Sequence, residues 1–192
     1  ICFANKMDRV GASYERTVES IRERLGANPI EMHLPIGEEA NFVGVVDLLE
    51  EKAYYFEDQS GKEPRESAVP AELTELASAK RAALLDAVAE LDDRLISKFL
   101  EGEPISVAEL KAALRKGVLA SKVTPVFCGS SLRNKGVQLV LDAVVDYLPS
   151  PLDIPPVKAT LLKDGSEVER RADNSEPLAA LVFKIVSDPY MG

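Results

Sequence analysis

The sequence predicts an α/β fold that contains an inserted α+β segment and continues into the first strands of a second domain. Residues 1–25 and 123–148 share one pattern, in which a short apolar strand leads through a polar loop into an amphipathic helix. The residues between them change to strands followed by helices, and a proline-rich run then marks a domain boundary. The expected division of the chain is 1–27, 28–121, 122–150 and 151–192.

The first unit comprises a buried strand at residues 1–4 and a helix at residues 12–25 that ends at Gly26. Its predicted apolar face consists of Tyr14, Val18, Ile21 and Leu25. The inserted segment begins with predicted strands at residues 30–36, 42–49 and 53–56. We expect Gly44 to mark a bulge or a close backbone approach. Residues 57–69 are polar, contain Gly61 and Pro64, and are predicted to form a loop.

Two helices are predicted in the rest of the insertion. Residues 70–100 are expected to form one long helix that begins at a proline and is followed by Gly102. Its apolar stripe consists of Leu73, Leu76, Ala77, Leu84, Val88, Leu91, Leu95 and Phe99. Residues 106–118 form the second helix, in which Ser106 and Glu109 have the spacing of a capping box.

The second strand–loop–helix unit has a strand at residues 123–128 and a helix at residues 136–148. The side of this helix predicted to be buried consists of Val137, Val140, Leu141, Val144, Val145 and Leu148. Beyond the prolines, residues 157–162 and 178–186 are predicted strands, and residues 163–177 are turn-rich. The predicted strands of this last part are too few for a closed sheet.

Composition excludes several classes of function. The 192 residues are 46% hydrophobic, which predicts a packed core. The net charge of −9 argues against a nucleic-acid surface on this chain, because phosphate binding requires clustered Lys and Arg. No signal peptide or membrane-length apolar run is found. We expect no membrane partner and a cytoplasmic location, or an organellar matrix or stroma.

The cysteines and the histidine carry no predicted chemistry. Cys2 and Cys128 each lie in an apolar run, which is typical of reduced core thiols. His33 is flanked by Met32 and Leu34 and is predicted to be a strand residue. No metal-ligand spacing occurs. The chain is therefore expected to hold neither a catalytic residue nor a metal ligand.

The run NKMD at residues 5–8, the guanine box, follows the first strand directly. The Asp8 carboxylate has two acceptor oxygens that match the N1–H and N2–H donors of guanine. Adenine lacks this donor pair and would leave the carboxylate unpaired. The Lys6 stem can lie along the base face, and the Asn5 amide can bond to the base or to neighbouring backbone.

The phosphate-binding loop that normally accompanies such a box has no match in the chain. The pattern G-x-x-x-x-G-K-[ST] is absent, only four residues precede Asn5, and the chain does not begin with Met. We therefore expect an internal piece of a larger protein. Residues 8–11 match D-x-x-G, but this match overlaps the guanine box, so a second role is not expected.

A second candidate element, CGSSL at residues 128–132, also follows a strand. Loops at the ends of adjacent parallel strands form nucleotide sites in α/β folds. A backbone N–H near Ser131 can donate to guanine O6. The alternative is an ordinary strand-to-helix turn. The matching context around NKMD favours a base site made of Asn5, Lys6, Asp8, Ser130, Ser131 and Leu132.

Several runs beyond these two loops closely resemble elongation factor G, the ribosomal translocase GTPase. They are NKMDR with GA at 11–12, RLGANP at 24–29, PIGEE at 35–39, GVVDL at 44–48, CGS at 128–130, NKGVQ at 134–138, DYLPSP at 146–151, FKI at 183–185 and DP at 188–189. The resemblance implies a partial P-loop GTPase domain with an inserted α+β subdomain and a truncated β-barrel.

The resemblance also implies a function. Members of the family bind GTP or GDP and hydrolyse GTP on the ribosome to move transfer and messenger RNA. Their base-binding residues match the six site residues named above, with Ser131 where the family usually has Ala. The Mg²⁺ ligands and switch regions of the family have no counterpart here, so hydrolysis by this chain alone is not expected.

The inserted segment offers an alternative function as a binding module. Glu72, Glu75 and Asp86 lie on its acidic helix. The family resemblance suggests the ribosomal stalk protein as the partner. The alternative for such a helix is a merely solvated face. Ribosome-protection proteins and the release-factor GTPase share the guanine box and remain alternatives, although the LPSP and RLGANP runs favour the translocase.

Overall fold

The structure, a computed structural model, describes residues 1–57 and 64–187. The chain divides into two compact units, Ile1–Leu148 and Pro149–Gly192. In the first unit the strands are β1 Cys2–Ala4, β2 Pro29–Glu31, β3 His33–Ile36, β4 Gly44–Asp47, β5 Lys52–Tyr55, β6 Arg65–Ser67 and β7 Thr124–Cys128. The helices are α1 Tyr14–Leu25, α2 Thr74–Ala89, α3 Asp93–Glu101, α4 Val107–Leu119 and α5 Val137–Tyr147.

A parallel sheet with the strand order β1-β7-β2 confirms the predicted α/β class. Phe3 pairs with Phe127 and Ile30 pairs with Pro125. The central strand β7 is apolar because both of its faces are covered, and Val126 and Cys128 are fully buried. The carboxyl ends of β1 and β7 lie side by side, so the loops that follow them are neighbours.

The predicted strand at residues 30–36 is two strands that belong to different sheets. Strand β2 joins the parallel sheet, whereas β3 begins an antiparallel sheet with the order β3-β4-β5-β6. Met32 lies at the division, where its N–H donates to Val126 O at 2.9 Å and its carbonyl accepts from Leu48 N at 3.0 Å. Both halves are buried, so the apolar pattern does not reveal the break.

Helix α1 begins two residues later than predicted and ends where predicted, at Leu25. Ser13 caps its start by accepting from Arg16 N, and Gly26 ends it in the left-handed region at φ 61°. Leu25, predicted to lie on the apolar face, is 70% exposed. Gly44 also behaves as predicted, because a Cβ at this position would lie 2.3 Å from Tyr54 O.

The single helix predicted over residues 70–100 is wrong, because the chain breaks between α2 and α3. Asp92 has extended backbone, and its side chain accepts from Arg94 N, which starts α3 as a new helix. A short 3-10 turn, Ala71–Leu73, precedes α2. The capping box at Ser106 and Glu109 is confirmed at the start of α4.

The loop predicted at residues 57–69 contains strand β6, which pairs with β5. All three residues of β6 are polar and exposed. The sequence therefore lacks the alternation of apolar and polar residues that predicts a strand. Gly61 lies outside the described residues.

The buried face predicted for α5 is also wrong in part. The residues it buries are Ala143 and Tyr147, whereas Leu141 and Val145 are 61% and 78% exposed. Apolar side chains occur around most of this helix. Their spacing alone therefore does not identify the face that packs against α4 and the sheet.

The second unit contains one antiparallel strand pair among its described residues. Strand β8, Val157–Thr160, lies within a predicted strand, and β9, Glu167–Arg170, lies in a stretch predicted to be turn-rich. Residues 178–186 have no regular secondary structure, so the strand predicted there is wrong. The barrel that the family resemblance implies remains a prediction. The DP run at 188–189 lies outside the described residues.

Candidate functional site

The loop after β1, residues 5–11, is called the box loop here. Lys6 has a left-handed backbone at φ 64°, and its N–H donates to Asn5 Oδ1 at 2.8 Å. This turn buries Met7, whose exposed fraction is 4%, and leaves Asn5 and Lys6 exposed. Met7 therefore anchors the loop in the core while its polar neighbours face outward.

The loop after β7, residues 129–135, is called the serine loop. Gly129 N donates to Ala4 O at 3.1 Å, and Met7 N donates to Gly129 O at 3.0 Å, so the two loops are joined at their bases. A Cβ at Gly129 would lie 2.3 Å from Lys135 O. Ser130 and Lys135 exchange two backbone hydrogen bonds of 2.9 Å, which close the loop.

The two loops are also joined by side chains. Asn5 Oδ1 accepts from Ser131 N at 2.9 Å, and Asn5 Nδ2 donates to Ser131 Oγ at 2.9 Å. These residues are 126 positions apart in the chain. Sequence reasoning assigned a backbone N–H near Ser131 to guanine O6. In this structure the Ser131 N–H is directed to Asn5, and the next N–H, that of Leu132, donates to none of the described residues.

Asp8 lies beside the serine loop with a side chain that is only 14% exposed. The pKa of this carboxyl lies below its usual value because the nearby Ser130 hydroxyl, the Asp8 backbone and the charges of Arg9 and Arg133 outweigh the opposing effect of burial. Ser130 Oγ is itself buried and makes no hydrogen bond of standard geometry with any described residue. Arg133 Nε is 3.8 Å from Asp8 Oδ2, which is a loose ion pair. Asp8 is therefore ionised at neutral pH and keeps acceptor capacity.

Lys6 and Leu132 are exposed on the two loops, and Leu132 reaches 74% exposure. An aliphatic stem and a leucine side chain are suitable surfaces for the faces of a planar ring. Of the six predicted site residues, the structure therefore joins Asn5 to Ser131 and sets Asp8 beside Ser130. It leaves Lys6 and Leu132 on the surface of their loops.

Three further residues that contact these loops were not predicted from the sequence: Glu39, Arg133 and Lys135. Arg133 and Lys135 belong to the serine loop and could have been found from their position next to CGSSL. Glu39 lies far away in sequence, on the connection between β3 and β4, and no sequence signal links it to the box loop.

The predicted partner-binding residues are all exposed. Glu72 lies in the 3-10 turn, and Glu75 and Asp86 lie on α2. Their helical spacing brings Glu75 and Asp86 to one side of α2, where exposed alanines separate them.

Residues 1–57 and 64–187, the part of the chain that the structure describes, lack metal-binding and membrane-spanning features. No group of three His, Cys, Asp or Glu side chains there could hold a metal ion. No helix in that part of the chain is long and apolar enough to cross a membrane.

Residues 1–150 match the family described as the elongation factor Tu GTP binding domain. The chain belongs to this family. Its two joined loops are thus parts of a GTP binding domain of the translational GTPase type, and guanine nucleotide binding is a property of that family. The two sequence runs first selected for base recognition both lie inside the matched region.

A solved structure supports the same relationship. A protein from Thermus thermophilus matches with a TM-score of 0.69 and 32% sequence identity over 80% of this chain. The chain spans 23% of the length of that protein. The fold of this GTP binding domain therefore occurs in a much longer relative.

Proposed function

We propose that this chain is the guanine-reading part of a translational GTPase resembling elongation factor G. In this proposal the parent protein hydrolyses GTP on the ribosome to drive translocation, and residues 28–121 form its inserted subdomain. The observation that carries the proposal is the direct bonding of Asn5 to Ser131. It joins the guanine box to the serine loop beside an ionised Asp8.

Asp8 provides the selectivity in this proposal. Two acceptor oxygens on a largely buried carboxylate match the paired donors of guanine, and adenine has no such pair. A purine that left the carboxylate unpaired would lose its own contacts and would leave a desolvated charge behind. The Leu132 N–H supplies a donor for guanine O6, or the Ser131 N–H does so once it is released from Asn5.

Hydrolysis requires groups that act on the phosphates rather than on the base. In the proposed parent, Mg²⁺ would neutralise charge that develops on the phosphate oxygens. The residues of this chain bind and orient the base. We therefore assign the chain a part in nucleotide recognition and assign no catalytic residue to it.

The proposal is tested by calorimetric titration of the 192-residue chain with GDP and with ADP. We expect GDP to bind at least tenfold more tightly than ADP. Asp8→Asn should weaken GDP binding about tenfold or more and favour xanthosine diphosphate, whose O2 can accept from the new amide. Asp142→Asn, an exposed change on α5, is the matched control. Equal binding of GDP and ADP, or unchanged preference in Asp8→Asn, would refute the assignment.

The acidic side of α2 supports a second function as a docking surface for a ribosomal partner. We propose that Glu72, Glu75 and Asp86 meet a basic surface on the ribosomal stalk protein. All three are exposed, and alanines on the same side of α2 leave room for close approach. Charge on such a surface mainly accelerates association.

Charge reversal tests this docking surface. Changing Glu72, Glu75 and Asp86 to Lys should slow association with purified stalk protein about tenfold at low salt, and the effect should shrink as salt rises. Reversal of the exposed Glu15, Glu23 and Glu101 changes net charge equally and is the control. An association rate that is the same for both triple variants would exclude α2 as the contact.

The family position of the parent and its compartment also remain proposals. Ribosome-protection proteins and the release-factor GTPase are the alternatives to the translocase. A translocation assay of the full-length parent on ribosomes distinguishes them, because only a translocase moves messenger RNA in a GTP-dependent way. We propose a cytoplasmic location, or an organellar matrix or stroma, which imaging of the tagged parent would test.

A further inference from the structure

The β3–β4 connection, residues 37–43, contacts both loops of the proposed base site. It leaves β3 at Gly37 and contains a 3-10 turn, Glu39–Asn41, before β4 begins. The connection belongs to the antiparallel sheet, whereas the two loops follow strands of the parallel sheet. Its contacts therefore link the two sheets at the place where base recognition is proposed.

The first contact is between Glu39 and the box loop. Glu39 Oε1 accepts from Gly11 N at 2.7 Å, and Arg16 Nη2 donates to Gly11 O at 2.6 Å. Both polar backbone atoms of Gly11 are thus held by side chains. Glu39 itself has a left-handed backbone at φ 49°, which is uncommon for a residue other than Gly. Such a conformation persists where its surroundings hold it.

The second contact is between Phe42 and the serine loop. Lys135 Nζ donates to Phe42 O at 2.6 Å and lies 5.9 Å from the centre of the Phe42 ring. Phe42 is 1% exposed, so the ring and the carbonyl are fixed in the core. The ammonium group combines a charge-assisted hydrogen bond with a cation–π contact. It ties the end of the serine loop to the antiparallel sheet.

The connection is itself tightly built. A Cβ at Gly37 would lie 2.0 Å from Asn41 O, and the φ of Gly37 is +80°. Asn41 N donates to Glu38 O, Phe42 N to Glu39 O, and Val43 N to Ile36 O, at 2.8 to 3.0 Å. A cavity of about 330 Å³ adjoins it, and its lining includes Asp8, Arg133, Lys135 and Phe42. A rigid segment next to this cavity can set the separation of the two loops.

We propose that the β3–β4 connection is the positioning element of the base site, with Glu39 and Lys135 as its positioning residues. Glu39 fixes the box loop and Lys135 fixes the serine loop. Both loops are thus attached to the same rigid segment. Asp8 and the Leu132 N–H are thereby held in a fixed relation to each other. The inference rests on the proposed function for its ligand, but the fixing of the loops can be measured without nucleotide.

The first measurement is amide hydrogen exchange of the full chain without nucleotide. Glu39→Ala should speed exchange of the Gly11 amide about tenfold, because that N–H loses its acceptor. Lys135→Met should speed exchange within residues 130–135 and leave Gly11 unchanged. The neighbouring Glu38→Ala and the exposed Lys122→Met are the matched controls.

The second measurement is the ratio of GDP to ADP affinity in the same variants. Glu39→Ala and Lys135→Met should each reduce this ratio about three- to tenfold with little change in the urea midpoint. Glu39→Gln, which keeps an oxygen acceptor for Gly11, should restore most of the ratio. A merely structural role for Glu39 would change the urea midpoint and leave the ratio intact.

The outcomes separate this inference from the proposed function. If the wild-type chain does not prefer GDP, the guanine assignment fails, and exchange alone decides whether the connection positions the loops. If exchange of both loops is unchanged in the variants, the connection is not their positioning element. If exchange rises while the GDP preference of the wild type is retained in every variant, the connection has no part in base recognition and the inference is overturned.

Discussion

At the scale of single residues, burial determines the protonation state of His33. It is fully buried in β3, and its ring meets Phe127 edge-on at 4.9 Å between centroids. Burial lowers the pKa of His33 from 6.5 to about 4, so the ring is neutral in the fold at neutral pH. The sequence predicted a strand residue, which is confirmed, but a single histidine between apolar neighbours does not reveal such a depressed pKa.

This depressed pKa predicts acid sensitivity. The unfolded chain binds a proton near pH 6.5, whereas the folded chain resists protonation to about pH 4, so stability falls as the pH drops through that window. We expect the free energy of unfolding to fall by about 2 kcal/mol between pH 7.5 and pH 5. His33→Phe, which removes the titrating group, should lose much less. Urea unfolding at the two pH values measures both.

Asp47 also contributes to the pH dependence measured in that experiment. It is the residue of β4 that pairs with His33 of β3. Burial raises the pKa of Asp47, which affects stability in the opposite direction as the pH changes. The difference between His33→Phe and wild type cancels this contribution. Identical pH profiles for the two proteins would show that His33 does not control the acid sensitivity.

At the scale of elements, side-chain caps decide where α3 and α4 begin. Ser106 Oγ accepts from Glu109 N at 3.3 Å, and Glu109 Oε2 accepts from Ser106 N at 2.9 Å. A hydrogen bond from Lys98, with further hydrogen bonds from Ser106, lowers the pKa of Glu109 to about 2. The cap of α4 therefore keeps an ionised carboxylate at its positive end.

Removal of this cap should weaken α4 locally. We expect Ser106→Ala to lower the free energy of unfolding by about 1 kcal/mol, because the backbone N–H of Glu109 loses its acceptor. Ser78→Ala, at an exposed position on α2, should change it by less than about 0.5 kcal/mol. Urea unfolding of both variants at pH 7 measures the difference. Equal stability of the two variants would contradict a capping role.

Some local cap and stop signals were predicted correctly, although the cap at Asp92 that divides α2 from α3 was missed. The capping box of α4 and the stop at Gly26 involve neighbouring residues, and both predictions are confirmed. The break at Met32 and the buried face of α5 depend on partners distant in sequence, and both predictions failed. The candidate site shows the same division. The two strand–loop signals could be recognised in the sequence, whereas the contact of Glu39 with Gly11 depends on the tertiary fold.

At the scale of the whole molecule, the two sheets of Ile1–Leu148 are joined by two clusters of buried side chains, each with residues from both sheets. One cluster includes Ile30 and Phe127 from the parallel sheet, Val46 from the antiparallel sheet, and Leu114 from α4. Met32 bonds to strand β7 and to the end of β4 at once. We therefore expect the predicted insertion and the parallel sheet to unfold together rather than as separate domains.

Leu114 provides the test of this shared core, because it is fully buried on a helix of the insertion. Leu114→Ala should lower the free energy of unfolding by about 3 kcal/mol. If the core is cooperative, amide exchange should accelerate equally in β4 and in β7, although β7 lies outside the insertion. Leu119→Ala, on the same helix but 40% exposed, is the control and should have a small effect on both strands. Faster exchange in β4 with unchanged exchange in β7 would mean that the insertion opens independently. The antiparallel sheet could then not serve as a fixed reference for the two loops that we assign to guanine.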